Sequence, residues 1–232
     1  MPSYYKLLIS EDIRKDKKSI IETLTSIMNG KLANDIRLLN LYREVPISFG
    51  ASIVQIEEEM VEMTVHQLQA IAMKLQQETI IRSSHFKHDV VAKVARAEPD
   101  KNFVLLNQFS YVQMLADRRA HVRVNVSEHI EVTFRVNQHL LQGMLQDISV
   151  GGIAVIAQEQ PEFNENMKGV VSMPLDGDML QIPATLLRIT DSNSEKVYAF
   201  MFNADSKIEK IISHFVFRIQ SEVIRELRGA IV

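Results

Sequence analysis

Apolar and polar positions recur along this chain with two different periods. Between Glu11 and Ala33 the apolar residues Ile13, Ile20, Ile21, Leu24, Ile27, Met28 and Leu32 fall at helical spacing. Ser10 stands where an N-cap is expected, and Gly30 interrupts the pattern near its end. The spacing predicts a helix that buries one face on its own domain, with a self-association or partner face as the alternative. From Ile36 the period is that of strands. Ile36 to Tyr42 is apolar-rich, Pro46 is read as a break, and Ile47 to Glu57 follows with Gly50 as a candidate bulge or sharp bend. Glu57, Glu58 and Glu59 read as a charged turn. Met60 to His66 alternates, with Val61, Met63 and Val65 on one face. Gln67 to Leu75 suits a short helix, and Glu78 to Arg82, Asp89 to Ala97 and Asn102 to Val112 suit further strands. Ser110 to Asp117 is read as the segment between domains; without Gly or Pro it is no flexible tether.

The second half repeats the strand period. The predicted strands are Arg123 to Val126, His129 to Val136, Leu140 to Asp147, Ile153 to Ala157, Gly169 to Pro174, Leu180 to Thr190 and Val197 to Asn203. Pro161 to Asn166 is a loop, and Asp176-Gly177 marks a tight turn. Lys207 to Arg228 then returns to helical spacing, with Ile208, Ile211, Ile212, Phe215, Ile219, Val223 and Leu227 as the apolar face. Short strands separated by short turns imply small barrels or sandwiches.

Composition narrows the function classes. The chain has 232 residues, 46% hydrophobic and 24% charged, with a net charge of −3. A weakly negative balance gives no bulk attraction to nucleic acid or to an anionic membrane. Cysteine is absent, which excludes disulfides, zinc–thiolate sites and a Cys nucleophile. No apolar run approaches the ~20 residues of a membrane span, and the first residues lack the apolar run of a signal peptide. A cytoplasmic location without membrane insertion is the resulting expectation.

The chemistry concentrates in two places. Asp117-Arg118-Arg119-Ala120-His121-Val122-Arg123 is a basic cluster ahead of a strand. Guanidinium groups hold phosphate oxygens bidentately and stack on purines. Asp147-Ile148-Ser149-Val150-Gly151-Gly152 is a turn between two apolar runs. Asp147 can accept from guanine N–H groups and Ser149 can donate to an oxygen. Gly151 and Gly152 permit positive φ and close approach of a ligand to the backbone. One site holding both halves suits an anionic guanine nucleotide. His121 lies inside the basic cluster as a solvent-facing spacer or, in the minority reading, a ligand contact. His85, His88 and Asp89 lack further ligands for a metal. The adjacent Glu57, Glu58 and Glu59 form no pair across a cleft, Ser149 lacks a G-x-S-x-G elbow, and no P-loop is present. No enzyme, cofactor or metal site is expected. Without Trp or a basic groove, single-stranded nucleic acid is not an expected partner either.

Arg119-x-x-x-Arg123 followed by Asp147-x-Ser149-x-x-Gly152 resembles the RxxxR and (D/N)xSxxG motifs of PilZ domains, the cyclic di-GMP receptors. An Arg pair on a solvated edge or an ordinary hairpin turn accounts for either motif alone, not for both at this spacing. Leu41-Tyr42-Arg43-Glu44-Val45-Pro46 and the strands after it are similar to the N-terminal domain of the flagellar-brake, YcgR-like type. The resemblance implies a mainly β chain of two small β-barrels, with an N-terminal helix and a C-terminal amphipathic helix. It places an N-terminal domain at residues 1–115 and the PilZ domain at 116–232. It further implies cyclic di-GMP bound without turnover by Arg118, Arg119, Arg123, Asp147, Ser149, Gly151 and Gly152. Arg118, next to the motif, bears in the family on whether one ligand or a stacked pair is held. The implied output is a changed domain arrangement read by a protein partner, in motility or exopolysaccharide control, from a monomer or a dimer. The competing reading is a nucleotide-independent protein–protein adaptor, against which the intact Arg and Asp/Ser/Gly sets argue.

Overall fold

The strand-period segments close into two separate rings. A computed structural model of the chain describes residues 4–10, 12–115, 121–160, 162–192 and 194–229. The strands β1 (Tyr5–Leu7), β2 (Arg37–Tyr42), β3 (Val45–Glu57), β4 (Met60–Val65), β5 (Glu78–Arg82), β6 (Asp89–Glu98) and β7 (Phe103–Met114) make the first sheet. Its order β7-β4-β3-β2-β5-β6 closes by β6 pairing back onto β7, and β1 adds to β7 outside that six-strand ring. Alternation sends Val61, Met63 and Val65 of β4 inward, all nearly or fully buried. The two rings belong to two compact units of the chain.

The helix α1 (Ile13–Met28) buries Ile20, Leu24 and Ile27 in the same core as Val104, Leu106 and Phe109 of β7. The expected N-cap Ser10 is not the cap. Asp12 takes that place, its Oδ1 accepting from Arg14 N at 2.9 Å, so the helix starts later and Ile13 is left exposed. The helix α2 (Gln67–Gln76) is capped by His66, whose Nδ1 accepts from Leu68 N at 3.2 Å. It is fastened to the ring through buried Asn40. That carboxamide accepts from Gln69 Nε2 at 2.7 Å and Thr79 Oγ1 at 2.8 Å, and donates to Gln76 Oε1 at 2.6 Å and Glu78 O at 2.7 Å. Each polar atom of the cluster so named has a partner, which is the condition for burying amides without a desolvation cost.

Several expected details of this half move. Pro46 does not break the strand: it is the second residue of β3, exposed, where the absent N–H costs nothing in the ring. The break lies two to three residues earlier, at Arg43 (φ 49°) and Glu44 (φ 68°). Against β4, β3 carries a bulge at Val54, between Ile53 and Gln55, which the sequence did not signal. Ser110 to Met114, expected in the joining segment, belong to β7. Ser110 and Val112 pair with Val91 and Asp89 of β6, and Met114 with Tyr5 of β1.

The second sheet contains β8 (Val124–Asn125), β9 (Glu131–Val136), β10 (His139–Ser149), β11 (Gly152–Ala157), β12 (Lys168–Leu175), β13 (Asp178–Ser192) and β14 (Glu195–Phe202). Its order β11-β14-β13-β12-β9-β10 closes through β10 and β11, with β8 on the outer edge of β10. Phe134 and Phe200 meet in the core at 4.6 Å between centroids, and Phe163 closes on Phe134 at 6.0 Å. Asp176 (φ 49°) and Gly177 (φ 91°) form the tight turn expected between β12 and β13, with both residues in the left-handed region of a type I′ hairpin. The C-terminal helix α3 (Ser206–Gly229) buries Ile212, Phe215, Ile219 and Val223. Arg218 of α3 reaches Glu128 at 3.0 Å and Asp176 at 3.1 Å, tying the helix to two loops of the same unit. The mainly β architecture of two small barrels with these helices is the one expected.

Candidate functional site

Two strands deliver the acidic and basic halves to one place. In the β8–β10 pairing, Val124 opposes Ile148 and Asn125 opposes Asp147. Val124 and Ile148 are fully buried inside the ring, so alternation turns Asn125 and Asp147 to its outer face. Arg123, just before β8, brings Nη1 to 3.8 Å from Asp147 Oδ1, an ion pair beyond hydrogen-bond distance. The Arg123 side chain is 36% exposed and that of Asp147 18%.

Asp147 faces outward only because of a bulge. Leu141 and Leu145 point inward, and strict alternation from them would put Asp147 in the core as well. The β10–β11 register slips between Leu145 and Asp147, leaving Gln146 as the extra residue. Parity then reverses: Gln146 and Asp147 both lie outside, and Ile148 goes in. The contraction of apolar spacing from Leu141–Leu145 to Leu145–Ile148 was the available signal in the sequence.

The turn is built for close packing. Ser149 pairs with Gly152 across the two-residue loop Val150-Gly151, and its buried hydroxyl donates to Gly152 O at 3.2 Å. Gly152 also pairs with Met201 of β14, and a Cβ added there would lie 2.1 Å from Phe200 O. Phe202 N donates to Gly151 O at 3.0 Å. The expected use of positive φ is not found, since among the described glycines only Gly30 and Gly177 have it. Close approach is the reason for glycine here, and at Gly152 the approaching group is the backbone of β14. His121 is exposed, yet its ring edge faces Gly151: a Cβ added to that glycine would sit 2.8 Å from His121 Cδ2.

Arg123, Asp147, Ser149, Gly151 and Gly152 thus gather at one end of the β10–β11 hairpin. Arg118 and Arg119 lie outside the described residues. The cross-strand register continues from Asp147 to Ala154, Ala199 and Arg188, three residues the motifs do not name. Of these, Ala154 is buried, Ala199 half-buried and Arg188 exposed.

The other polar clusters have local partners. His85 Nε2 lies 3.0 Å from Ala33 O, Arg82 Nε pairs with Asp89 at 3.0 Å, and His88 packs edge-on against Tyr111. Among the described residues no three His, Cys, Asp or Glu side chains are grouped to hold a metal. Among them, too, no helix is long and apolar enough to cross a membrane.

Residues 117–218 match the family model described as the PilZ domain. A stretch of 75 residues is 39% identical to the cellulose synthase catalytic subunit (UDP-forming) of Komagataeibacter sucrofermentans, covering 32% of this chain and 10% of that protein. Another match, 26% identical over 130 residues, is to an uncharacterized protein of Aquifex aeolicus and covers 56% of this chain and 63% of that one. The matched stretches therefore span less than two thirds of either relative. Among solved structures the chain is similar to YcgR from Escherichia coli in complex with c-di-GMP, at 13% identity over 93% of this chain and 95% of that one, with a TM-score of 0.46.

Proposed function

We propose, from the premise that residues 117–218 are a PilZ domain, that this chain is a cytoplasmic receptor that binds cyclic di-GMP without turning it over. The observation that carries the reading is the meeting of Arg123 and Asp147 beside the Ser149–Gly152 turn, on the outer face of a closed ring. In this reading Arg119 and Arg123 clamp the ligand's phosphates and stack on guanine. Asp147 accepts from the guanine N–H edge, and Ser149 offers its hydroxyl. Gly151 and Gly152 keep the turn flush with the sheet. Arg118 supplies a further cationic plane for a second, stacked ligand.

The output in this reading is a changed arrangement of the N-terminal domain (1–115) and the PilZ domain (116–232). A protein partner in motility or polysaccharide synthesis reads that change. The ligand shifts such an equilibrium only by its differential affinity for the two arrangements. Ser110 to Met114 are strand residues of β7, so in this reading the segment that the ligand reorients begins after them.

Calorimetry with cyclic di-GMP, and with GTP and cyclic di-AMP as controls, tests the receptor. A ligand of this size gains at most ~0.3 kcal/mol per heavy atom. After the cost of ordering the arginine segment, a Kd between submicromolar and micromolar is expected for cyclic di-GMP alone, with two ligands per chain. Arg118→Ala should reduce that stoichiometry to one. No heat with cyclic di-GMP at high micromolar concentration removes the receptor and leaves the adaptor.

A further inference from the structure

The Gly151–His121 contact joins the two motifs by protein packing alone. His121 stands in the chain midway between Arg119 and Arg123, while Gly151 is a free position of the turn motif. The imidazole edge lies where a side chain at residue 151 would be, with Cδ2 2.8 Å, Nε2 3.5 Å and Cγ 3.9 Å from an added Cβ. On its other side the turn is held by Phe202 N donating to Gly151 O, and by Gly152 pressed on Phe200. The turn is thus fastened to β14 on the side away from His121.

We infer that His121 is a positioning residue for the ligand site, and that Gly151 is glycine to seat its ring. This deepens the receptor reading and rests on it. Only Val122 separates His121 from Arg123, so a ring resting on a turn held to β14 limits where the Arg123 guanidinium can go. An Arg side chain loses its rotamer freedom on binding, and fixing its backbone beforehand lowers that cost. Gly151 in this view makes room for a side chain of the protein, not for the nucleotide.

A double-mutant cycle separates these roles. His121→Ala should weaken cyclic di-GMP binding several-fold, and His121→Phe, which keeps a flat ring on the turn, should recover most of the loss. Gly151→Ala should weaken binding by about tenfold with His121 present, and add less than about twofold in the His121→Ala background. In the ligand-free protein, a nuclear Overhauser contact between His121 Hδ2 and Gly151 Hα is expected. Absence of that contact overturns the seat. Equal losses from Gly151→Ala in both backgrounds overturn it too, because the glycine then serves the ligand directly. His121→Phe binding as poorly as His121→Ala assigns the imidazole to the ligand and overturns positioning. A wild-type chain that shows the contact but takes up no cyclic di-GMP sinks the receptor reading, and the positioning role with it. Normal wild-type binding with additive variants sinks only the inference.

Discussion

Arg123→Ala is expected to lower the affinity for cyclic di-GMP by about 30- to 1,000-fold, about 2–4 kcal/mol, while the domain stays folded. The two effects separate because adjacent residues do different jobs. Val124 is fully buried and holds β8 on the ring, whereas Arg123 is partly exposed and pairs with Asp147 at 3.8 Å. An ion pair of that exposure contributes at most about 1 kcal/mol to stability. Toward a phosphate the same guanidinium makes charge-assisted bidentate bonds from a fixed backbone, and their loss falls on the ligand. Arg119→Ala should behave alike. Arg123→Lys should also bind poorly, since an ammonium reproduces neither the fork nor the stacking. Titration calorimetry beside a thermal melt checks both halves. Normal binding by Arg123→Ala would refute the clamp.

Gly152→Ala is expected to do the reverse and strike the fold. The added Cβ would lie 2.1 Å from Phe200 O, 3.1 Å from Phe200 C and 3.3 Å from Met201 Cα, all backbone atoms of β14. Nothing there can rotate away, so β11 and β14 must part, at a cost of about 3 kcal/mol or more. For a unit of about 100 residues that corresponds to a fall in Tm of roughly 10 °C or more. Gly151→Ala meets only the His121 ring, a side chain that can swing aside, and should melt near the wild type. Thermal unfolding of the two variants side by side decides it. If Gly152→Ala melted like Gly151→Ala, the motif's last glycine would be there for the ligand and not for the sheet.

The sequence spoke most clearly where period and environment agree. Val61, Met63 and Val65 alternate because β4 has one buried face, and Glu78 to Arg82 is bounded as expected. Asp176-Gly177 announced its turn because glycine takes positive φ without strain. The turn at Arg43 and Glu44 gave no such signal, since neither residue favours the left-handed region; closure of the β2–β3 hairpin holds them there. Pro46 misled for the converse reason: a strand tolerates proline near its start. At the candidate site the motifs named the residues but not their directions. Asp147 reaches the outer face through the bulge at Gln146, a property of the β10–β11 register. Ala154, Ala199 and Arg188 join Asp147 only through strand pairing, which no local pattern reveals.

Cyclic di-GMP is expected on the outer face where Arg123 meets the Asp147–Gly152 turn. Amide chemical-shift mapping of the labelled chain during titration with cyclic di-GMP reads that place directly. Saturable shifts are expected at Arg123, Asn125, Asp147, Ser149, Gly151 and Gly152, with the strands of the first ring unmoved except at the end of β7. Saturable shifts confined to other residues, or none at these positions at saturating ligand, would contradict it.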